Sequence, residues 1–551
     1  MRLYPLVAVA LVSATPVAAT AAEVDIAQTL DGIFAPWASS TTPGCAAGVA
    51  MGGTVVSRAY GMADLGHGIA NTPETRFEAG SVSKQFVAAS VLMLVEEGKI
   101  ALGDDIRKYL PEIPDYGAPI TIDHLLSHTS GLRDWGFAME IADWSRSTRA
   151  YTNDDVLAFV ARQKSLNYAP GTDYSYTNTG YVLLAMIVER AAGQPLADFT
   201  RTRIFDPLGM KSTGWRTNFR QIEKMRATAY IGFKNGYVEK MPFEDVYGDA
   251  GVLTTVGDLL IWNDALAQGR LGRFVGRALV ENAHLRDGRK LTYARGLEVP
   301  KNGRYGEISH GGAIGGYRAW LGRFPEKDLS IAVLCNAGEA DGVGVGRGIE
   351  LGRKIASALL PAQSVADTRS AVPATQDQTG TQVGLFASDK TGLPLTIVSD
   401  GVGLRLKDGA ALEQYARSHY RLAGSDIIFD SQGNFRRDKS DGTTETYRHV
   451  APQGREDGDF SGLTGRYVSD EIEATYVVES SPKGLRLKLV ERPAYVIDLE
   501  SAYRNAWVYD TRMGKRTAIV RFERDRTGKV VSLSIGWNAR VRAMRFDKIA
   551  N

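Results

Sequence analysis

Part of this chain repeats itself. Gly384, Phe386, Ser388, Asp389 and the run Gly403-Leu404-Arg405-Leu406-Lys407 return, each displaced by 81 positions, as Gly465, Tyr467, Ser469, Asp470 and Gly484-Leu485-Arg486-Leu487-Lys488. Agreement at all of these positions at one offset marks a duplicated unit. Inside each copy apolar and polar residues alternate, as on half-buried strands, and the helical period found earlier in the chain is gone. The C-terminal part is therefore expected to hold two tandem, small, antiparallel all-β domains, each closed as a barrel or sandwich to protect its edges. Residues 361–381, ahead of the first copy, are poor in apolar side chains and rich in Ala, Ser, Thr, Gln and Asp, with two prolines. They read as a linker.

The longer part before the linker mixes both patterns. Residues 44–51 and 54–60 read as two strands around Gly52-Gly53, a hairpin signal. Helical patterns follow at 86–95, 153–163, 180–192 and 256–267, then strands at 307–312, 316–324 and 329–334 and a last helix at 348–360. In all, 551 residues at roughly 150 per domain suggest three or four domains. A net charge of +2 points to neither nucleic acid nor an acidic surface as partner. After the N-terminus nothing approaches the roughly 20 apolar residues of a membrane span. Residues 1–22 have the form of a secretory signal: Arg2, an apolar run over 6–12, and small residues ending Ala18-Ala19-Thr20-Ala21-Ala22. The expected location is periplasmic or secreted. Only Cys45 and Cys335 are present; two cysteines make no metal site, and the sequence leaves buried thiols and a single bridge both open.

Phe77-Glu78-Ala79-Gly80-Ser81-Val82-Ser83-Lys84 carries the first chemical signal. Residues i and i+3 share a helix face, so Ser81 and Lys84 can meet where a turn becomes a helix. There the free N–H groups favour a developing negative charge, which suits an activated serine. Ser480-Ser481-Pro482-Lys483 has the same spacing but reads as a turn between strands. A lysine serves as base only with a lowered pKa or a proton relay, and a tyrosine can complete the relay. Of two Tyr-x-Asn stretches, Tyr151-Thr152-Asn153 is better explained as a helix cap before Asp154-Asp155. Tyr176-Thr177-Asn178, in the loop after Pro170-Gly171, has no such duty. The third element, Ser309-His310-Gly311-Gly312-Ala313, puts glycines in a strand, as expected where a substrate lies along its edge. His124 and His128 are spaced i, i+4 without acidic or cysteine partners and read as structural, with Thr121 as N-cap and Gly131 as the stop of their helix.

Ser81-Val82-Ser83-Lys84, Tyr176-Thr177-Asn178 and His310-Gly311-Gly312, in this order, resemble the three active-site motifs of the penicillin-recognising serine hydrolases. These include class C β-lactamases, DD-carboxypeptidases, related esterases and D-aminopeptidases. Leu125–Leu132, Phe205–Met210 and Asp249–Val252 agree with the same pattern, and the two trailing β domains resemble the three-domain D-aminopeptidases. The resemblance implies an α/β (α+β) β-lactamase-like catalytic domain, with a five-stranded antiparallel sheet flanked by helices and a helical subdomain, then two small antiparallel β-barrels. Expected boundaries are 1–22 for the signal, 23–362, 363–381 for the linker, 382–455 and 456–551.

It further implies that Ser81 is the nucleophile of an acyl-enzyme and that Lys84 and Tyr176 share base and acid duties. Asn178 would orient Lys84 or the substrate amide, and the N–H groups of Ser81 and Ala313 would form the oxyanion hole. Gly311 and Gly312 would line the substrate strand. His310 stands where β-lactamases and many DD-carboxypeptidases have a lysine that helps to hold a carboxylate. That change disfavours β-lactam hydrolysis and carboxypeptidase action and favours release of a small N-terminal unit. The expected activity is D-aminopeptidase-like, on peptides, amides or esters. The alternatives are an esterase or DD-peptidase/β-lactamase-like hydrolase, or a binding protein acylated without turnover. Neither metal nor organic cofactor is expected, and a homodimer is admitted. In the D-aminopeptidase a loop of the last barrel offers acid to the substrate amine. The matching stretch here, 490–498, is slightly shorter and leaves Glu491 and Asp498 both open for that role.

Overall fold

The computed structural model describes residues 21–144, 146, 148–300, 304–360, 381–453, 460, 462–482, 484–511 and 517–550. The signal segment before Ala21, and the linker before Thr381, lie outside the described residues.

Strands β1 (Cys45–Met51) and β2 (Thr54–Tyr60) form the expected hairpin. Gly52 and Gly53 both take positive φ, +54° and +81°, as a two-residue turn matched to strand twist requires. With β3 (Ile308–Ile314), β4 (Tyr317–Phe324) and β5 (Leu329–Cys335) they build an antiparallel sheet in the order β3-β4-β5-β1-β2. Strand alternation divides its side chains between two cores. Cys45, Ala47, Val49, Ile331 and Val333 meet Leu30 and Phe34 of helix α1 (Ala21–Phe34) and Ile355 of the helix Gly348–Leu359. Ala46, Ala332 and Leu334 face the main core, with Leu259 and Trp262 of the helix Val256–Ala267. Cys45 and Cys335 face each other in the β1–β5 register and are joined by a disulfide, which settles the choice the sequence left open.

Helix α2 (Lys84–Glu96) runs through the main core, with every side chain from Lys84 to Leu94 buried. An all-round apolar helix needs such a position. Against it packs α6 (Asn178–Ala192), which in turn carries the short helices α3 (Ile122–Leu126), α4 (Trp135–Ile141) and α5 (Asn153–Arg162). Thr152 caps α5 through a reciprocal bond pair with Asp155, and Thr121 caps α3. Gly131 is not the stop of that helix. α3 ends at Leu126, where Ser127 Oγ donates to the Asp123 carbonyl and His128 turns to φ +58°. Gly131 is needed for another reason, since a Cβ there would lie 2.1 Å from the Tyr168 carbonyl oxygen.

Both repeated units are closed eight-stranded antiparallel barrels. Their equivalent first strands, Gly384–Ser388 and Gly465–Ser469, point Phe386 and Tyr467 inward, each fully buried. The first barrel has its own core. The core of the second is continuous with that of the N-terminal domain: Trp537 packs on Phe137, ring centroids 4.9 Å apart, and Tyr476 Oη donates to the Ile141 carbonyl. Ser480, the decoy, lies in a barrel strand, Ala474–Ser481.

Candidate active site

The Ser81 turn is held from both sides. Before it, Glu78 forms a fully buried, two-pronged ion pair with Arg216, both bonds 3.0 Å. Within it, Ala79 N donates to the Val252 carbonyl and Ser83 Oγ accepts from Val252 N. Gly80 has φ +52°, and a Cβ on it would come within 2.6 Å of Ala313 N; one on Gly312 would come within 2.0 Å of the Ala79 carbonyl oxygen. Two glycines therefore let β3 press its backbone against the turn, so that Ser81 and Ala313 meet at the mouth of one groove.

Lys84 is completely buried beneath Ser81. Its Nζ donates to Ser81 Oγ (3.0 Å), Asn178 Oδ1 (3.0 Å) and the Asp249 carbonyl (2.7 Å), which uses all three ammonium protons. Burial pulls its pKa down to about 7, against the attraction of the Asp249 carboxylate and with help from Arg540. Burial raises Asp249 in turn to about 6, with Lys84 opposing. The amine thus changes charge near neutrality, as a base for a serine hydroxyl must.

Asn178 opens α6 and is positioned through its backbone, whose N–H donates to Asp134 Oδ2 at 2.9 Å. The other oxygen of Asp134 caps α4 through Phe137 N. Tyr176 is half-buried with its hydroxyl turned inward; its ring centre lies 5.0 Å from Lys84 Nζ and its hydroxyl makes no hydrogen bond of normal geometry among the described residues. Burial holds this phenol above its ordinary range, against the smaller pulls of Ser81 and Arg540, so it keeps its proton at neutral pH.

His310 is buried, with Nδ1 2.6 Å from the Gly311 carbonyl and Nε2 3.1 Å from Tyr293 Oη. A carbonyl only accepts, so Nδ1 carries the hydrogen and Nε2 receives the tyrosine's. Burial, then Lys84, pulls its pKa down to about 3. The imidazole is therefore neutral at working pH and is no substitute for a lysine cation. It belongs to an aromatic cluster with Tyr174, Tyr176, Tyr293 and His128. His128 Nδ1 accepts from Thr177 N, and His124 Nδ1 accepts from Thr121 N, so both histidines have structural work. No group of three or more metal-binding side chains occurs among the described residues.

Ser81, Tyr176, Asn178, His310, Gly311, Gly312 and Ala313 all line one groove of about 1600 Å³, with Lys84 in its floor. Every residue singled out from the motifs is brought together there. The barrels contribute too: Arg421 and Asp441 from the first, Arg540 from the second.

The Beta-lactamase family matches residues 30–351, more than half of the chain. This chain belongs to that family of penicillin-recognising serine hydrolases. A D-aminopeptidase of Brucella melitensis is 28% identical over 450 residues, covering 80% of this chain and 81% of its own. The octameric penicillin-binding protein homologue from Pyrococcus abyssi superposes with a TM-score of 0.53 at 21% identity, covering 95% of this chain and all of its own. The D-amino acid amidase from Ochrobactrum anthropi SV3 superposes with a TM-score of 0.51 at 23% identity, over 61% of this chain and 98% of its own. These two structures support the β-lactamase-like fold.

The two acids that the sequence left open for a substrate amine both lie away from the groove. Glu491 accepts from Thr475 N and Asp498 pairs with Arg486, both exposed on the outside of the second barrel. Neither lines the groove. The segment that enters is the turn between the last two strands, Val530–Trp537 and Val541–Ile549, and it brings Arg540. Trp537-Asn538-Ala539-Arg540 has no chemical signature in the sequence, and only the barrel's docking shows its use. The Asp249 carboxyl was legible only as part of a family stretch.

Proposed function

We propose that the chain is an exported serine hydrolase that releases N-terminal D-amino acids from peptides, amides or esters through an acyl-enzyme on Ser81. The observation that carries the chemistry is the buried Lys84 amine, 3.0 Å from Ser81 Oγ with a pKa near neutrality. Neutral Lys84 takes the hydroxyl proton as Ser81 Oγ bonds to the substrate carbonyl carbon. The resulting oxyanion is received by the N–H groups of Ser81 and Ala313. Tyr176, which keeps its proton, donates it to the leaving nitrogen or oxygen and is restored from Lys84. The C–N or C–O bond breaks, leaving the acyl group on Ser81. Water then attacks the ester by the same path in reverse, and no metal or organic cofactor takes part.

The D-aminoacyl preference is supported by the D-aminopeptidase and D-amino acid amidase relatives. Export is supported by the disulfide between β1 and β5, which persists in oxidising compartments. No helix among the described residues is long and apolar enough to cross a membrane. Within this reading the chain divides as 1–22, 23–362, 363–381, 382–455 and 456–551. Self-association is included as a homodimer, and light scattering of the purified protein checks it.

Purified protein should hydrolyse D-alanine p-nitroanilide well above L-alanine p-nitroanilide and a cephalosporin. Turnover of a short-chain nitrophenyl ester alone would reject the aminopeptidase reading in favour of an esterase. Labelling of Ser81 by a fluorophosphonate without turnover of any substrate would reject both.

A further inference from the structure

Arg540 reaches the catalytic groove from a different domain, and it is held there tightly. Its backbone carbonyl accepts from Asp134 N (3.2 Å) and Asn167 Nδ2 (2.9 Å), and its N–H donates to Asn538 Oδ1 (2.7 Å). On either side, Ser175 Oγ donates to the Ala539 carbonyl (2.8 Å) and Arg542 N donates to Asn167 Oδ1 (3.0 Å). Arg542 also forms an ion pair with Asp173 at 2.6 Å. The partners Asp134, Asn167, Asp173 and Ser175 flank the Tyr176 loop, so the turn is fastened to the same frame as the catalytic motifs. That is how a side chain is held in a fixed place over a reaction centre.

The guanidinium is not consumed by these bonds. It lies 4.9 Å from the Tyr176 ring centre and 5.0 Å from that of Phe137. Among the described residues its ion pair is with Asp134 Oδ2, at 3.8 Å, beyond hydrogen-bond range. The Asp134 oxygens already receive Phe137 N and Asn178 N. Its side chain stays 31% exposed and lines the groove. Lys84 Nζ is 5.0 Å from the same Tyr176 ring, so Arg540 stands within a side chain's length of the bond to be cut. Its guanidinium contacts Tyr176, Phe137 and Asp134. Asn178 Oδ1 is taken by Lys84, and Asn178 lines the groove as well.

We propose that Arg540 is a specificity-determining residue that binds a carboxylate on the acyl part of the substrate, so that the preferred donors are acidic D-residues. This rests on the reading of the protein as a D-aminoacyl hydrolase. A cation has left the third motif, where His310 is neutral, and a different one has entered the same groove from the last barrel. A planar guanidinium with outward donors matches a carboxylate in two places at once.

The test is the isosteric pair D-glutamyl and D-glutaminyl α-p-nitroanilide, which differ in charge but hardly in size. The full-length protein should show kcat/KM about ten- to hundredfold higher for the acidic member, the range of a charge-assisted hydrogen bond. Arg540→Gln should bring that ratio to about one, and Arg540→Lys should keep part of it. A purely structural Arg540, bracing Tyr176, would lower both substrates together and leave the ratio intact; that result overturns the proposal. So does a wild-type preference for the neutral member. Absence of turnover on either substrate, on D-alanine p-nitroanilide and on the ester would reject the hydrolase reading itself. A changed rate with an unchanged ratio rejects only the assignment of Arg540.

Discussion

Asp249→Asn is expected to make the enzyme work at lower pH. The Asp249 carboxylate is, after burial, the largest influence on Lys84, and it stabilises the ammonium form. The substitution keeps the backbone carbonyl that Lys84 Nζ contacts at 2.7 Å and removes only the charge. A nearby opposite charge moves a pKa by about 1–3 units. The acid limb of kcat/KM, set near 7 by Lys84, should therefore fall to about 6 or below. The sign follows from which form acts: only the neutral amine accepts the serine proton, so activity is gained as pH rises through the Lys84 pKa. A limb moved from 7 to 6 raises the neutral fraction at pH 6 from about 10% to about 50%, roughly a fivefold gain relative to the plateau. The assay is the pH profile of a neutral nitrophenyl ester, with the fraction of active serine counted by a fluorophosphonate at each pH. Arg540→Ala should move the limb the other way, because Arg540 disfavours the ammonium. A limb unmoved or raised in Asp249→Asn would refute Lys84 as the titrating base.

Ser81→Ala should abolish fluorophosphonate labelling and turnover, whereas Ser480→Ala should leave both unchanged; loss of activity in the second would overturn the choice of nucleophile. Gly312→Ala adds a methyl 2.0 Å from the Ala79 carbonyl oxygen and must part β3 from the Ser81 turn. With the fold retained by circular dichroism, kcat/KM should drop about a hundredfold, the usual cost of a 1 Å displacement at a reacting centre. Wild-type activity in that variant would show that the strand does not receive the oxyanion. Reduction, or Cys335→Ala, should lower stability by about 2–5 kcal/mol because the bridge closes a 290-residue separation. Thermal unfolding with and without reductant measures it, and an unchanged wild-type midpoint would count against the bond.

Much of this was legible because it is local. The Ser81-to-Lys84 spacing, the Gly52-Gly53 hairpin and the Thr152 cap each depend on neighbours in sequence, and each is found where the pattern puts it. The repeat was legible because Phe386 and Tyr467 do the same work in two closed barrels. Gly131 misled because a glycine after a helix reads as its end, whereas its contact with Tyr168 is tertiary. His310 stands at a position where relatives carry a lysine, yet burial keeps its imidazole neutral. Glu491 and Asp498 had suitable chemistry on the wrong face of the barrel. Arg540 had no local pattern at all, since its place is set by contacts such as Ser175–Ala539, 364 residues apart.

That long-range fastening has a consequence in time. The nucleophile, its lysine and its tyrosine are all synthesised well before the turn that carries Arg540, and α2 can find its core partners in the meantime. Non-local contacts of this span also form late in folding. With Arg540 as the residue that selects, selectivity is complete only when the second barrel docks.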